Sequence, residues 1–284
     1  MNPRRAPWVA LLLFLVQAPM YADYVTDDSY IYARFADNLA RLGELSFNPG
    51  EPVHAATSPL WAGLGAVGVL AGFESVEWLR WLGILCGAVA VFVLARITGR
   101  LLSDRPLLTW AVAAVIATEP WLVRWSTSGM ETPLAALLVA AALDATLRPL
   151  DTVGWRRAAL AVGLLPLVRP EGLLLVALFG IHVLRTPRAR ARVDLYLLAL
   201  LPIVAWSVYA LPVYGHVLPE TMRAKSTPLG LQAGRFASNL LVIGQVFAVG
   251  AVVPAVVWFV GFVRRPRRLW TPDSRFWAVP VWWQ

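Results

Sequence analysis

Long apolar segments, separated by short charged stretches, recur along most of this chain, from residue 8 to residue 263. Each is about 15 to 25 residues long, close to the roughly 20 residues that a helix needs to cross the hydrocarbon core of a bilayer. Only 15% of the residues are charged, and the mean hydropathy is +0.63. A soluble domain carries about a quarter charged residues. The sequence therefore predicts an all-α, polytopic transmembrane bundle.

We expect about eight spans within a single transmembrane domain, residues 1–284. Their approximate bounds are 8–22, 59–73, 78–98, 106–123, 132–147, 156–184, 194–213 and 237–262. The sixth span is interrupted by the run Arg-Pro-Glu-Gly at 169–172. A cleaved signal peptide is the alternative interpretation of residues 1–22. Residues 276–284 start a further apolar stretch that stops early, so we expect a C-terminal remainder to be missing.

The formal net charge of +8 is explained by topology better than by nucleic-acid binding. The basic residues cluster in short linkers beside apolar runs, as the positive-inside rule describes. With the N-terminus inside, the polar segments 23–58 and 214–236 lie on the outer face. One conflict with this rule remains open, because two crossings between residues 59 and 100 would place the basic segment 96–105 outside, where the rule expects it inside. The same count places the basic segment 185–192 inside if 156–184 is treated as one broken span.

Residues 26–42 predict a short amphipathic helix lying in the membrane interface. An apolar stripe at helical spacing consists of Ile31, Phe35, Leu39 and Leu42. Thr26 suits the N-cap position of this helix.

The acidic pair Asp27-Asp28 at the start of this helix has two explanations. Carboxylates in a first turn are favoured by the helix dipole, which is a purely structural role. Helical geometry, however, places Asp28 on the same side as Phe35, where a carboxylate is costly unless it is paired or used as a general base. Local physics alone leaves both explanations open.

Four stretches resemble one known family and occur in the same order. They are the first loop (27–39, 47–53 and 57–61), 128–134 (Ser-Gly-Met-Glu-Thr-Pro-Leu), 168–172 (Val-Arg-Pro-Glu-Gly) and 214–225 (Tyr-Gly-His-Val-Leu-Pro-Glu-Thr-Met-Arg-Ala-Lys). The chain thereby resembles the GT-C polyprenyl-phosphate-sugar-dependent membrane glycosyltransferases, in the branch that includes the mycobacterial terminal arabinofuranosyltransferases. The chain departs from the family at two places: His54-Ala-Ala stands where relatives often carry Glu-Gly-Tyr, and Glu220 stands where they commonly carry Asn. These differences concern the specificity for the sugar more than the class of reaction.

The resemblance implies transfer of a sugar from a polyprenyl-phosphate donor to an acceptor hydroxyl, usually with inversion, by a loop Asp acting as base. Asp27 and Asp28 occupy the catalytic position. The residues implied to bind the donor phosphate are Arg34, Arg169, Arg223 and Lys225. Those implied to bind sugar or acceptor are His54, Thr57, Glu131 and Glu171. A divalent metal on Asp27, Asp28 and Glu131 stays open, and no other cofactor is indicated.

The partners expected from the resemblance are a polyprenyl-phosphate-linked sugar, membrane lipids and a glycan, lipid or protein acceptor. The expected location is a bacterial plasma membrane, with the active site on its outer face.

Six of these residues also have a simpler explanation. Arg169 and Glu171 would form a structural ion pair beside a proline kink, and Arg223 and Lys225 would bind lipid head groups. Glu131 would be a helix-start acid, and His54 a solvated loop residue.

Two other functions compete with the enzyme. A transporter or lipid flippase would be expected to carry paired broken helices in two related halves, and the sequence has one clear interruption. An inactive relative or scaffold is the third interpretation. The chain has no Walker motif and no zinc-protease motif, and its single cysteine, Cys86, lies within an apolar run.

Overall fold

The computed structural model describes residues 2–147 and 152–220. These residues belong to the first of two units into which the chain divides, Met1–Thr227. The segments predicted at 237–262 and 276–284, most of the loop 214–236, and the residues Arg223 and Lys225 lie outside the described ranges.

The described part consists of helices without strands, which confirms the predicted all-α class. The α-helices are α1 (Ala6–Gln17), α2 (Asp27–Leu42), α3 (Pro59–Leu70), α4 (Ser75–Leu101), α5 (Pro106–Ala117), α6 (Pro120–Thr127), α7 (Thr132–Thr146), α8 (Thr152–Leu164), α9 (Gly172–Arg185) and α10 (Val193–Tyr214). Short 3-10 turns occupy Pro3–Arg5, Ala18–Tyr21 and Leu165–Leu167.

Three helical segments of the described part are long and apolar enough to cross a membrane. They are α4, the nearly continuous pair α5–α6 (Pro106–Thr127) and α10. Shorter apolar helices surround them at Ala6–Tyr21, Pro59–Leu70, Thr132–Thr146 and Gly172–Arg185. The protein is thus a helical membrane bundle, as its hydropathy predicts.

Arginine-rich helix ends gather at one end of the bundle. Trp8, near the start of α1, packs edge-on against Phe92 in the second half of α4, with ring centroids 4.8 Å apart. A few residues further along α4, Arg96 and Arg100 form ion pairs of 2.8 and 2.5 Å with Asp144 near the end of α7. We call this the arginine end. The opposite end carries α2, and we call it the site end.

Helices α8 and α9 form an antiparallel hairpin rather than one broken span. Trp155 at the start of α8 stacks on His182 near the end of α9, with ring centroids 5.2 Å apart. Between the helices the chain reverses in a turn closed by Gly172 N–H donating to the carbonyl of Arg169, at 2.8 Å. A Cβ at Gly172 would lie 2.6 Å from the backbone of Leu165, so the close approach requires glycine.

Helix α3 packs alongside α2 instead of reaching the arginine end. Its 12 residues extend about 18 Å, well short of the ~30 Å hydrocarbon core. A Cβ at Gly65 would meet the Cβ of Ala36 in α2 at 2.8 Å, and the indole of Trp78 at the start of α4 donates to the carbonyl of Leu64. The segment predicted as a second span thus stays at the site end. Residues 96–101 consequently share the arginine end with the start of α1, which removes the conflict with the charge rule.

The helix predicted at 26–42 is present as α2 (Asp27–Leu42), and its place in the membrane interface stays a prediction. Phe35 is fully buried, whereas Ile31 and Leu42 of the predicted stripe are exposed and Tyr32 is buried instead. Thr26 precedes the helix with extended backbone, as an N-cap should, but its side chain makes no capping hydrogen bond.

Candidate active site

The turn that joins α6 to α7 lies beneath the acidic start of α2. Gly129 adopts a φ of 84°, and a Cβ there would lie 2.9 Å from Ser29 Cβ. Trp61 donates its indole N–H to the Gly129 carbonyl at 2.9 Å, and the Thr26 N–H donates to the Ser128 carbonyl at 3.5 Å. Glycine's positive φ and small size let the two segments touch, which brings two of the family-like stretches together.

Glu131 ends this turn and forms a buried ion pair with Arg169. Its side chain is only 4% exposed, and its Oε1 lies 2.9 Å from Arg169 Nη2. The same guanidinium donates to Thr132 Oγ1 at 3.0 Å. Burial raises the pKa of Glu131, while Arg169 and the Tyr32 hydroxyl act in the opposite direction. Glu131 Oε2 is buried without a hydrogen bond of standard geometry.

Arg169 is held at the tip of the α8–α9 hairpin and keeps part of its surface in contact with solvent. Its side chain is 44% exposed although its partner Glu131 is buried. The cation therefore presents donors both to the carboxylate behind it and to a ligand in front of it. The sequence analysis offered Glu171 as the structural ion-pair partner of Arg169. In the structure the partner is Glu131, and Glu171 is exposed at the start of α9.

Tyr32 is a site residue that the sequence analysis did not select. Its hydroxyl lies 2.7 Å from Thr57 Oγ1, and it is close enough for the charges of Glu131 and Asp28 to raise its pKa, in addition to burial. Its position one helical turn after Asp28 is the signal that points to it. Tyr32 and Thr57 therefore link α2 to the loop that precedes α3.

The two aspartates differ in their surroundings. Both are exposed at the first turn of α2. The charge of Asp28 acts on Tyr32 and Glu131, and that of Asp27 acts on neither. Tyr32, Thr57, Glu131 and Arg169 are hereafter called the polar cluster, and Asp28 is the aspartate whose charge reaches it.

Arg34 lies on a different side of the first loop. Its Nε donates to the Phe47 carbonyl at 3.2 Å, next to Asn38, which donates to the carbonyls of Ser46 and Phe47. In the described structure Arg34 therefore holds the loop, and its role toward phosphate stays a prediction.

His54 is buried rather than solvated. Only 2% of its surface is exposed, and its ring stacks on Tyr214 and His216 with centroids 5.0 and 5.7 Å apart. Burial and, to a smaller extent, the neighbouring His216 lower the pKa of His54 to about 4, against opposing effects of Leu218 and Glu220. The ring is therefore neutral at physiological pH.

An apolar groove of about 500 Å³ opens between α2, α3 and α10. It is lined by Leu39, Leu45, Pro59, Leu60, Leu164, Leu167, Leu201, Pro202, Ala205, Trp206 and Tyr209. A second cavity, of about 50 Å³, shares Pro59, Leu167 and Trp206 with the groove. It is also lined by Thr57 and by Pro170, the neighbour of Arg169. The groove thus leads toward the polar cluster.

Metal binding by Asp27, Asp28 and Glu131 stays a prediction. Across residues 2–147 and 152–220, no group of three or more His, Cys, Asp or Glu side chains is placed to hold a metal ion. Glu131 is instead paired with Arg169.

Two curated proteins are similar in sequence to this chain. A terminal beta-(1->2)-arabinofuranosyltransferase of Corynebacterium glutamicum is 28% identical in an alignment 243 residues long that covers 75% of the chain. One of the same name from Mycobacterium tuberculosis is 30% identical in an alignment 219 residues long that covers 71% of the chain. The alignments cover 35% of each relative, so the chain spans about a third of their length. No family model and no solved structure matches. Most of this chain thus resembles part of a terminal arabinofuranosyltransferase.

Proposed function

We propose that the protein is a membrane glycosyltransferase that moves a sugar from a polyprenyl-phosphate donor to an acceptor hydroxyl. The observation that carries the proposal is the polar cluster beside an apolar groove. A lipid-linked sugar has the same two parts, an anionic phosphate with its sugar and a long hydrocarbon chain. The similarity to two arabinofuranosyltransferases supports the same reaction class.

Arg169 is the residue proposed to bind the donor phosphate. Its guanidinium is anchored on one side by Glu131 and Thr132 and is partly exposed on the other. A planar guanidinium can offer parallel N–H donors to phosphate oxygens, and an anchored one needs no reorganisation as negative charge develops. Arg169 would thus stabilise the leaving polyprenyl phosphate. Arg223 and Lys225, which lie outside the described residues, are proposed to assist it.

Asp28 is the proposed general base, with Asp27 as the alternative. In the proposed step the acceptor oxygen attacks the anomeric carbon and forms the new glycosidic bond. The bond from that carbon to the phosphate oxygen breaks, and the phosphate keeps the electron pair. The acceptor's proton passes to the Asp28 carboxylate. Asp28 is exposed and close to Tyr32 and Glu131, so both substrates can reach it at the start of α2.

The apolar groove is proposed to hold the first part of the polyprenyl chain. Its walls are almost entirely aliphatic and aromatic, so a hydrocarbon chain that enters it from the bilayer exchanges one apolar environment for another. Its shared wall with the cavity beside Thr57 and Pro170 would place the phosphate near Arg169.

The sugar proposed for transfer is arabinofuranose, because that is the sugar in the names of both relatives. The proposed acceptor is a cell-envelope glycan, lipid or protein. The site end is proposed to face outward from a bacterial plasma membrane, since the arginine end carries the charge expected of a cytoplasmic surface.

The proposal is tested with membranes that contain the protein and a polyprenyl-phosphate arabinose with radiolabelled sugar. We expect the label to move to an acceptor and the donor to be consumed, and Arg169→Gln to slow both. Arg156→Gln is the matched control, because it removes an arginine from an ion pair at the arginine end. A donor that stays intact with the wild-type protein would contradict the proposal.

A further inference from the structure

The cavity of about 50 Å³ beside the polar cluster has a buried histidine, His54, in its wall. His54 lines it together with Thr57, Pro170, Trp206 and Leu218, and we call it the histidine pocket. His54 is 2% exposed, yet neither of its ring nitrogens makes a hydrogen bond of standard geometry. Buried polar groups in proteins nearly always have a partner, so an imidazole of this kind in a cavity wall is placed to bind a ligand's polar group.

The neighbours of His54 satisfy at most one of its ring nitrogens. The Leu218 carbonyl is near enough to act on the pKa of His54 as a hydrogen-bond acceptor, but it lies 2.7 Å from Nδ1 of His216. The other ring nitrogen of His216 lies 2.8 Å from Glu220 Oε1. The rings of Tyr214 and His216 stack on His54, with centroids at 5.0 and 5.7 Å, and the Trp206 ring is tilted against it at 5.2 Å. The ring is thus fixed by aromatic contacts, and at least one of its nitrogens is left to bind a ligand.

A neutral imidazole offers one donor and one acceptor on nitrogens that point in different directions, and a hydroxyl group can pair with either of them. A phosphate or carboxylate offers acceptors only and prefers a cation, which Arg169 already provides at the polar cluster. The chemistry of His54 therefore favours a neutral hydroxyl over an anion.

The size of the pocket restricts the ligand further. A volume of about 50 Å³ holds one or two water molecules, each of which occupies about 30 Å³ in the liquid. A whole sugar ring is too large, whereas a single hydroxymethyl group fits. Thr57 belongs both to the pocket and to the polar cluster. A sugar reacting beside Asp28 and Arg169 could therefore extend one short arm into the pocket.

We propose that the histidine pocket binds the primary hydroxyl of the donor sugar, with His54 as a specificity-determining residue. The inference rests on the proposed glycosyl transfer, which it deepens by assigning the site for one substituent of the sugar. An arabinofuranose presents such a hydroxymethyl arm at C5. A sugar that lacks this hydroxyl leaves His54 unsatisfied and binds more weakly.

The test measures binding rather than transfer. Purified protein in nanodiscs is titrated with methyl arabinofuranoside and with its 5-deoxy analogue, and each Kd is obtained by ligand-observed NMR. The wild-type protein should bind the 5-deoxy analogue about tenfold more weakly, the cost of one unmade hydrogen bond to a buried group. In His54→Phe, which keeps the stacked ring but has no ring nitrogen, the ratio should fall to about one. His54→Asn, which keeps a donor and an acceptor, should retain most of the discrimination.

His182→Phe is the matched control, because His182 is another histidine stacked on an aromatic ring, at the arginine end. The ratio of the Kd values for the two glycosides should be the same in His182→Phe as in the wild type. A tenfold ratio that persists in His54→Phe, or a wild-type protein that binds neither glycoside, would overturn the assignment. Discrimination that depends on His54 without sugar transfer would instead refute the proposed reaction and leave the pocket assignment standing.

A second readout follows the imidazole itself. The chain contains three histidines, so the imidazole ¹⁵N signals of the wild-type protein are few, and those of His54 are the ones absent from His54→Phe. The methyl arabinofuranoside should shift these signals in the wild-type protein, and the 5-deoxy analogue should not. Equal shifts with both glycosides would count against His54.

Discussion

The ion pair between Glu131 and Arg169 gives the sharpest test of the site's construction. In Arg169→Gln the carboxylate of Glu131, whose side chain is 4% exposed, loses its cation. Removing one partner of a fully buried pair costs about 3–5 kcal/mol. Because Arg169 is 44% exposed, solvent screens part of this interaction. We therefore expect a loss of about 2 kcal/mol in the free energy of unfolding at neutral pH.

The pH dependence of this loss separates the ion pair from simple packing. Burial raises the pKa of Glu131 in the folded protein and Arg169 lowers it, so removing Arg169 raises it further. A carboxyl whose folded pKa exceeds its unfolded value favours folding at low pH, and this contribution is lost as pH rises through the folded pKa. The destabilisation of Arg169→Gln should accordingly be largest at neutral pH and shrink as the solution is acidified.

The assay is equilibrium unfolding in detergent, followed by tryptophan fluorescence, from neutral pH into the acid range. Arg156→Gln is the control, since Arg156 and Asp194 are both substantially exposed, solvent screens their ion pair, and its loss should change the stability little. The double variant Glu131→Gln/Arg169→Gln should recover most of the stability, because no buried charge is left unpaired. A loss for Arg169→Gln that is independent of pH, or equal in the double variant, would refute the reasoning.

Three further predictions concern the turn, the first loop and the topology. Gly172→Ala should destabilise the protein by about 2 kcal/mol, because the added Cβ would lie 2.6 Å from the backbone of Leu165. Gly180 has open space around it, so Gly180→Ala is the control and should be neutral or stabilising. Thermal unfolding compares the two variants. Tyr32→Phe removes the hydroxyl next to Thr57 and should lower kcat of sugar transfer about tenfold with an unchanged fold by circular dichroism. In a Cys86→Ser background, cysteines placed at two exposed positions of α4 by Glu77→Cys and Arg100→Cys should react with an impermeant thiol reagent from opposite sides of the membrane. Labelling of both from one side would contradict the two-ended arrangement.

Much of the fold follows from local patterns in the sequence. Hydropathy and the length of apolar runs indicate the membrane bundle, and the helical spacing of apolar residues predicts α2 within one residue of its bounds. The two misplaced crossings were α3 and the α8–α9 hairpin. Hydropathy does not distinguish a helix that crosses the bilayer from one packed at its edge. Only the contacts of Gly65 and the reversal at Gly172 decide these cases.

The candidate site could be predicted in part. Asp28, Thr57, Glu131 and Arg169 were selected from separate stretches, and the structure brings them together at one end of the bundle. Which charges pair could not be read from the chain, because Glu131 and Arg169 are 38 residues apart in sequence (169 minus 131). Tyr32 was missed because a buried tyrosine on an amphipathic helix looks like an ordinary core residue, and its polar contact is tertiary.

The central claim is that the polar cluster transfers a sugar with Asp28 as its base. The most direct measurement compares initial rates of transfer from labelled polyprenyl-phosphate arabinose in membranes that contain equal amounts of wild-type protein, Asp28→Asn and Asp27→Asn. We expect Asp28→Asn to lose activity by at least about a hundredfold, as is usual when a general base is removed, and Asp27→Asn to lose much less. Undiminished transfer in Asp28→Asn would contradict the account.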